Sequence, residues 1–240
     1  MRSIEVEGMD FAALCELLRQ TEGDAEIRGC LGQRFIGAGM GPRKLRIRGV
    51  PGNALGAYLN GAEIEVFGNA QDAVGDTMNA GMILVHGGIG DTAGYAMRGG
   101  KIYVRGNAGY RAGVHMKQYQ EHVPFIVIGG RAGSFLGEYQ AGGVIVVLGL
   151  HTDGRPIVGN FPCTGMHGGR VFLRSRCDDV AFPEQVTARE ASPEDLSGIE
   201  DCLKEYCALL GLDFADVMNA PFTVVTPDSA NPYTQMYVPN

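Results

Sequence analysis

ILVHGGIGDTAG, residues 83–94, is followed at residues 102–113 by IYVRGNAGYRAG, and the two strings share Ile, Val, Gly, Gly, Ala and Gly at the same six of twelve positions. The same unit reads backwards as IEVFGNAQDAVG (64–75) and LRIRGVPGNALG (45–56), and forwards as IVIGGRAGSFLG (126–137). A sixth copy starts as IVVLGL at 145–150 and then diverges. Gly49, Gly68, Gly87 and Gly106 stand 19 residues apart, and Gly130 to Gly149 is again 19. A fixed period of this length is the signature of a solenoid.

Within each unit an apolar pair lies four and two residues before the glycine: Leu45 and Ile47, Ile64 and Val66, Ile83 and Val85, Ile102 and Val104, Ile126 and Ile128, Ile145 and Val147. Alternation of period two is a strand with one face buried. Ala25 and Ile27 make a weaker first copy, and Val171 and Leu173 a last strand. A second set of glycines recurs later in the unit, among them Gly94, Gly113 and Gly137. All of these glycines are read as structural, and those later in the unit as supplying positive φ at tight corners. Leu59, Met78, Met97 and Met116 recur at one offset and are read as interior packing rather than as a metal-binding ladder.

One coil cannot bury its own apolar face, so stacking must do it. A left-handed hexapeptide helix needs multiples of six, and a calcium-binding nonapeptide helix needs aspartates that are missing. The expected fold is therefore mainly β: a single-stranded right-handed parallel β-helix of about seven coils, with capping helices at both ends. Asp10 is the expected N-cap of a first helix with Phe11, Leu14, Leu17 and Leu18 on one face. Ser192-Pro193-Glu194-Asp195 reads as a capping box opening a second helix through Leu196, Ile199, Leu203, Tyr206 and Leu210, ended by Gly211. The expected division is a helical cap at 1–24, the solenoid at 25–174 and a helical tail at 175–240.

Composition narrows the function. The net charge is −7 with no basic stripe, which argues against nucleic acid. No apolar run approaches the ~18 residues of a membrane span, and the opening MRSIEVEGMDF does not read as a signal peptide. A cytoplasmic protein with reduced thiols is expected; the six cysteines contain no C-x-x-C pair. GAGMG at Gly37–Gly41 is a poor dinucleotide loop, because Pro42 and the strand after it leave no helix for a pyrophosphate.

Two insertions break the period. One holds HMKQYQEHVP between Gly106 and Gly130; the other is LHTDGRPIVGNFPCTGMHGG from Leu150. Insertions in solenoids often map to a binding face. His115, Lys117, Tyr119, His151 and His167 are expected to form one polar patch there, against a partner or along an ammonia path. A Cys163/His167 nucleophile pair is conceivable, but the partner-binding reading is preferred to catalysis.

The recurring G-x-x-G-x-x-x-G unit resembles the GXGXG domain of the glutamate synthase large subunit and a related domain that forms one subunit of formylmethanofuran dehydrogenase. YRAGVHMKQY (110–119), TGMHGGRVFLR (164–174) and FTVVTPDSANPYTQMY (222–237) look like stand-alone archaeal-type glutamate synthase proteins. The resemblance implies a non-catalytic β-helix joining a glutaminase-like subunit to an FMN/iron–sulfur synthase-like subunit beside the ammonia route. It implies no cofactor in this chain, with FMN and iron–sulfur held by partners. Formylmethanofuran dehydrogenase and N-methylglutamate synthase complexes are the alternatives.

Overall fold

The computed structural model describes residues 1–229; the end of the third resembling string, residues 230–237, lies outside the described residues. The chain opens with strand β1 (Arg2–Glu5) and helix α1 (Phe11–Gln20). Eight strands follow: β2 (Ala25–Leu31), β3 (Lys44–Val50), β4 (Asn60–Phe67), β5 (Ala80–Val85), β6 (Lys101–Val104), β7 (Phe125–Ile128), β8 (Ala141–Val147) and β9 (Gly168–Leu173). Strand β10 (Val186–Glu190), helices α2 (Pro193–Leu210) and α3 (Phe214–Met218), and strand β11 (Thr223–Pro227) complete the described chain.

Strands β1 to β9 pair in sequence order and in parallel, one per coil, making a solenoid of about eight turns. The register is the one the repeat demands: Ile64 pairs with Ile83, Ile83 with Ile102, Ile102 with Ile126, and Ile126 with Ile145. Each of these side chains is buried in one interior column. A second wall repeats once per coil through the bridges Ala70–Ile89–Ala108–Ala132–Val158.

Between the two walls the backbone must satisfy its polar groups without a strand. It does so by alternating direction. The Thr92 amide donates to Tyr110 O in the next coil (2.7 Å), Gly94 donates back to Val74 O (2.8 Å), and Ala96 donates forward to Val114 O (2.9 Å). All three residues sit in the left-handed region, at φ 58, 66 and 50°. For a β-branched residue such as Thr92 that conformation is rare, and its bond to the following coil, with the Gly94 bond to the preceding one, fixes the corner.

This geometry divides the glycines into two classes. Gly94 and Gly113 combine positive φ with contact: a Cβ on Gly94 would stand 2.5 Å from Ile126 Cδ1. The glycines just after the strands are mostly not left-handed. Gly68, Gly87, Gly106 and Gly130 are small because the coil before them comes too close, whereas Gly49 and Gly149 also have positive φ. At Gly130 the space a Cβ would need is filled by Asn107 Oδ1, which accepts from the Arg131 amide (2.9 Å).

Helix α1 closes the first end as expected. Asp10 caps it by accepting from the Ala13 amide (2.9 Å), and Leu14 and Leu18 enter the interior core beside Val6. Arg43 secures its other end, donating to Leu18 O (3.1 Å) and Thr21 O (2.8 Å).

Helix α2 corrects the second expectation: it covers a side of the solenoid, not the end. The outer face of the early sheet is charged, with Arg48–Glu26 (2.7 Å), Lys44–Glu63 (2.9 Å) and Arg46–Glu65 (3.2 Å) pairing across strands. From β5 onward that face turns apolar through Leu84, Tyr103, Val127, Val146 and Phe172. Ile199, Leu203, Tyr206 and Leu210 of α2 pack on it. Tyr206 donates to Val104 O (3.1 Å), and Tyr103 donates to Glu205 (2.6 Å), which also pairs with Lys101. The capping box that starts α2 is present, with Asp195 Oδ2 accepting from the Ser192 amide (2.8 Å). The far end is closed by antiparallel β11 and β10, with Val180, Phe182 and Val186 packed into the interior core.

Candidate functional site: an exposed ring-lined corner

All coils run the same way, so residues that precede the strands share one flank and residues that follow them share the other. His115, Lys117 and Tyr119 precede β7, and His167 precedes β9; these four lie on one flank. His151 follows β8 and lies on the opposite flank, so the single five-residue patch does not form. The two insertions enter the coil at different points of its circumference, which identical spacing of glycines cannot reveal.

On the first flank His115 is held between two tyrosines. Its ring lies 5.3 Å from that of Tyr139, stacked, and 5.8 Å from that of Tyr95, edge-on. Lys117 is exposed, and its amide donates to Met97 O (3.0 Å). Tyr119 and His122 close a tight turn through reciprocal backbone bonds of 3.1 and 2.9 Å. The His167 ring places Nδ1 3.0 Å from Gly165 O.

Cys163 overturns the nucleophile pair. Its side chain is fully buried in the solenoid interior, and burial pushes the thiol up to about 12. A thiol kept protonated is not a nucleophile at neutral pH. The other cysteines show the same direction: burial raises Cys30 and Cys202 to about 11. No group of three or more His, Cys, Asp or Glu side chains is placed to hold a metal ion among the described residues. No helix among them is long and apolar enough to cross a membrane.

The structure adds residues that the sequence reading passed over. Arg111, Phe135 and Phe161 occupy one left-handed corner position in successive coils, and His115 and Tyr139 another, at φ between 53 and 62°. In the earlier coils the same positions hold Phe35, Ala54, Ala73 and Thr92, or Tyr58, Thr77 and Ala96, so large side chains follow one another in adjacent coils only after β6. The offset of these residues from the repeat glycines is written in the sequence.

The GXGXG motif model matches residues 19–228, which takes in every coil from β2 to β9 and continues through β11. The chain belongs to the GXGXG family. This GXGXG chain is 40% identical over 236 residues to the uncharacterized protein MJ1350 of Methanocaldococcus jannaschii, across 94% of this chain and 90% of that protein. Its fold is similar to that of a chain in the formyltransferase/hydrolase complex (FhcABCD) from Methylorubrum extorquens, solved with methylofuran. That likeness has a TM-score of 0.53 at 19% identity and covers 92% of the GXGXG chain and 89% of the other. At that identity the match speaks for the fold.

Proposed function

We propose that the chain is a non-catalytic structural subunit of a multi-subunit complex, and that the complex is of the formylmethanofuran-dehydrogenase or formyltransferase type. The observation that carries this reading is the end-to-end fold likeness to a chain that works inside such a complex. Catalytic groups, and any metal centre, would belong to partner subunits. The solenoid suits such a role: its backbone is bonded both to the coil before and to the coil after, so it holds a fixed surface for other chains.

A second reading rests on sequence strings rather than on fold. YRAGVHMKQY and TGMHGGRVFLR favour a glutamate-synthase-type complex, with this chain between a glutaminase-like subunit and an FMN/iron–sulfur synthase-like subunit. N-methylglutamate synthase is a variant of that reading. Both readings place the chain in the cytoplasm.

Purification of the tagged chain from its native cell, with mass spectrometry of the companions, separates them. Companions that transfer a formyl group support the first reading. A glutaminase and a flavoprotein forming glutamate from glutamine support the second. A chain that elutes alone at native concentration argues against both.

A further inference from the structure

Two ladders of side chains run along the outside of the solenoid over the coils that follow β5 to β8. One is Tyr95, His115 and Tyr139, with ring centroids 5.8 and 5.3 Å apart. The other is Arg111, Phe135 and Phe161: the guanidinium carbon lies 4.6 Å from the Phe135 ring centre, and the two phenyl rings stack at 5.4 Å. Arg111 Nε reaches Glu138 Oε2 at 3.3 Å and ties the ladders together. Among the described residues no other element covers this corner, since α1 sits on the end and α2 on the sheet. Phe161 is 61% exposed, Tyr95 41% and Tyr139 37%.

The charge in this stretch is net positive. From Asp91 to Glu138 the chain carries Arg98, Lys101, Arg105, Arg111, Lys117 and Arg131 against Asp91, Glu121 and Glu138, within a protein of net charge −7. Lys101 is neutralised by Glu205, and Arg111 by Glu138. Arg98 and Lys117 follow Met97 and Met116 at one offset, on the flank of the Tyr95–His115–Tyr139 ladder, and neither has an ion-pair partner among the described residues.

We propose that this ridge is the docking surface for a partner subunit whose contacting segment carries carboxylates next to apolar side chains. The proposal rests on the complex-subunit reading and adds where the partner sits and what it offers. Contiguous exposed rings are uncommon on surfaces that stay in water. Tyr, Phe and Arg are enriched where protein partners meet. These rings are already stacked on one another and carried on a backbone fixed from both sides, so binding orders little that is not ordered beforehand. The two free cations supply the complementary charge, which acts mainly on the encounter rate and on the choice of partner.

The test uses the full chain and the partner that co-purifies with it. Tyr139→Ala with Phe161→Ala removes two exposed rings; Arg98→Glu with Lys117→Glu reverses the flanking charge. The ring variant should weaken partner binding at least tenfold through faster dissociation. The charge variant should slow association at least tenfold at low salt, with the difference fading as salt rises. Hydrogen exchange should show partner protection at residues 92–117 and 135–165. All four side chains lie at the surface, so circular dichroism and the melting temperature of the free chain should stay close to wild type. If a variant does unfold, the exchange footprint on the wild-type chain decides. A partner that binds both variants normally, or protects another face, overturns the ridge and leaves the complex reading standing. Protection of the ridge by a single-stranded RNA probe rather than by protein would also overturn it. Absence of any co-purifying partner overturns both.

Discussion

Replacing Gly94 by Ala should cost far more than an exposed corner normally would, and the structure says where the cost arises. The backbone contribution is modest: φ is +66°, and a residue with a Cβ loses about 1–2 kcal/mol there. Thr92 and Ala96 bear a similar conformation in the same coil. The larger part is contact. The new Cβ would lie 2.5 Å from Ile126 Cδ1, where carbon atoms prefer about 3.5–4.0 Å. Ile126 is fully buried in the column between Ile102 and Ile145, so close packing resists a shift of its Cδ1 and overpacking adds about 1–3 kcal/mol. The sum is about 2–5 kcal/mol, or about 4–20 °C in melting temperature for a chain of this size. Ile126→Val removes the offending Cδ1 and alone should cost about 0.5–1.5 kcal/mol. If the contact is the cause, Gly94→Ala with Ile126→Val should be no less stable than Gly94→Ala alone. The cycle is read from denaturant midpoints at constant slope. Costs that add within about 0.5 kcal/mol would refute the reasoning. The protein carries its own precedent: Gly137 faces Val171 instead of isoleucine, with a virtual Cβ 3.5 Å from it and only the end of the Gln140 side chain closer, at 2.9 Å. In the following coil Cys163 bears a side chain at the equivalent place, its amide donating to Leu136 O (2.7 Å).

Tyr206→Phe should lower stability by about 0.5–1.5 kcal/mol, because Val104 O loses the buried hydroxyl while keeping the Gly129 amide (2.7 Å); a thermal midpoint equal to wild type would count against the role of this bond. Glu205 is pushed up by burial but pulled further down by Lys101 and Tyr103, so its folded carboxyl titrates below 4.5. Its contribution is therefore present above pH 4.5 and disappears as the pH falls through the depressed folded value. The melting-temperature gap between wild type and Glu205→Gln should be constant near neutrality and close in acid; a gap that widens in acid would contradict the assignment. Cys163 should resist iodoacetamide in the folded chain up to mildly alkaline pH and react once denatured, and mass spectrometry of the labelled peptide would expose native-state reactivity if it exists.

The solenoid was legible because its cause is periodic: pairing Ile64, Ile83 and Ile102 in one column requires their identical offset, and the offset is written in the chain. The purpose of each glycine was less legible. A left-handed turn at Gly94 and a crowded neighbour at Gly130 both demand a missing side chain, and period alone cannot separate them. The position of α2 could have been anticipated. Strands β3 and β4 alternate apolar with charged residues, whereas FIVI in β7 and VIVV in β8 are apolar throughout, as strands covered on both faces are. The candidate surface was only half legible. His115 and Lys117 drew notice because they sit in an insertion, while Tyr139 and Phe161 look isolated in the chain and become neighbours only through stacking.

The change in the outer face of the sheet, charged early and apolar late, makes the two halves of the molecule unequal in time as well as in space. The early coils are held by the coil above, the coil below and a short helix. The later coils are also clamped by α2, which comes from far along the chain. Opening should therefore begin at the N-terminal coils, with amide exchange fastest around β2 and β3 and slowest in β7 and β8. During synthesis the order is reversed: the later coils leave the ribosome with a bare apolar wall and keep it until residues 193–210 arrive to cover it.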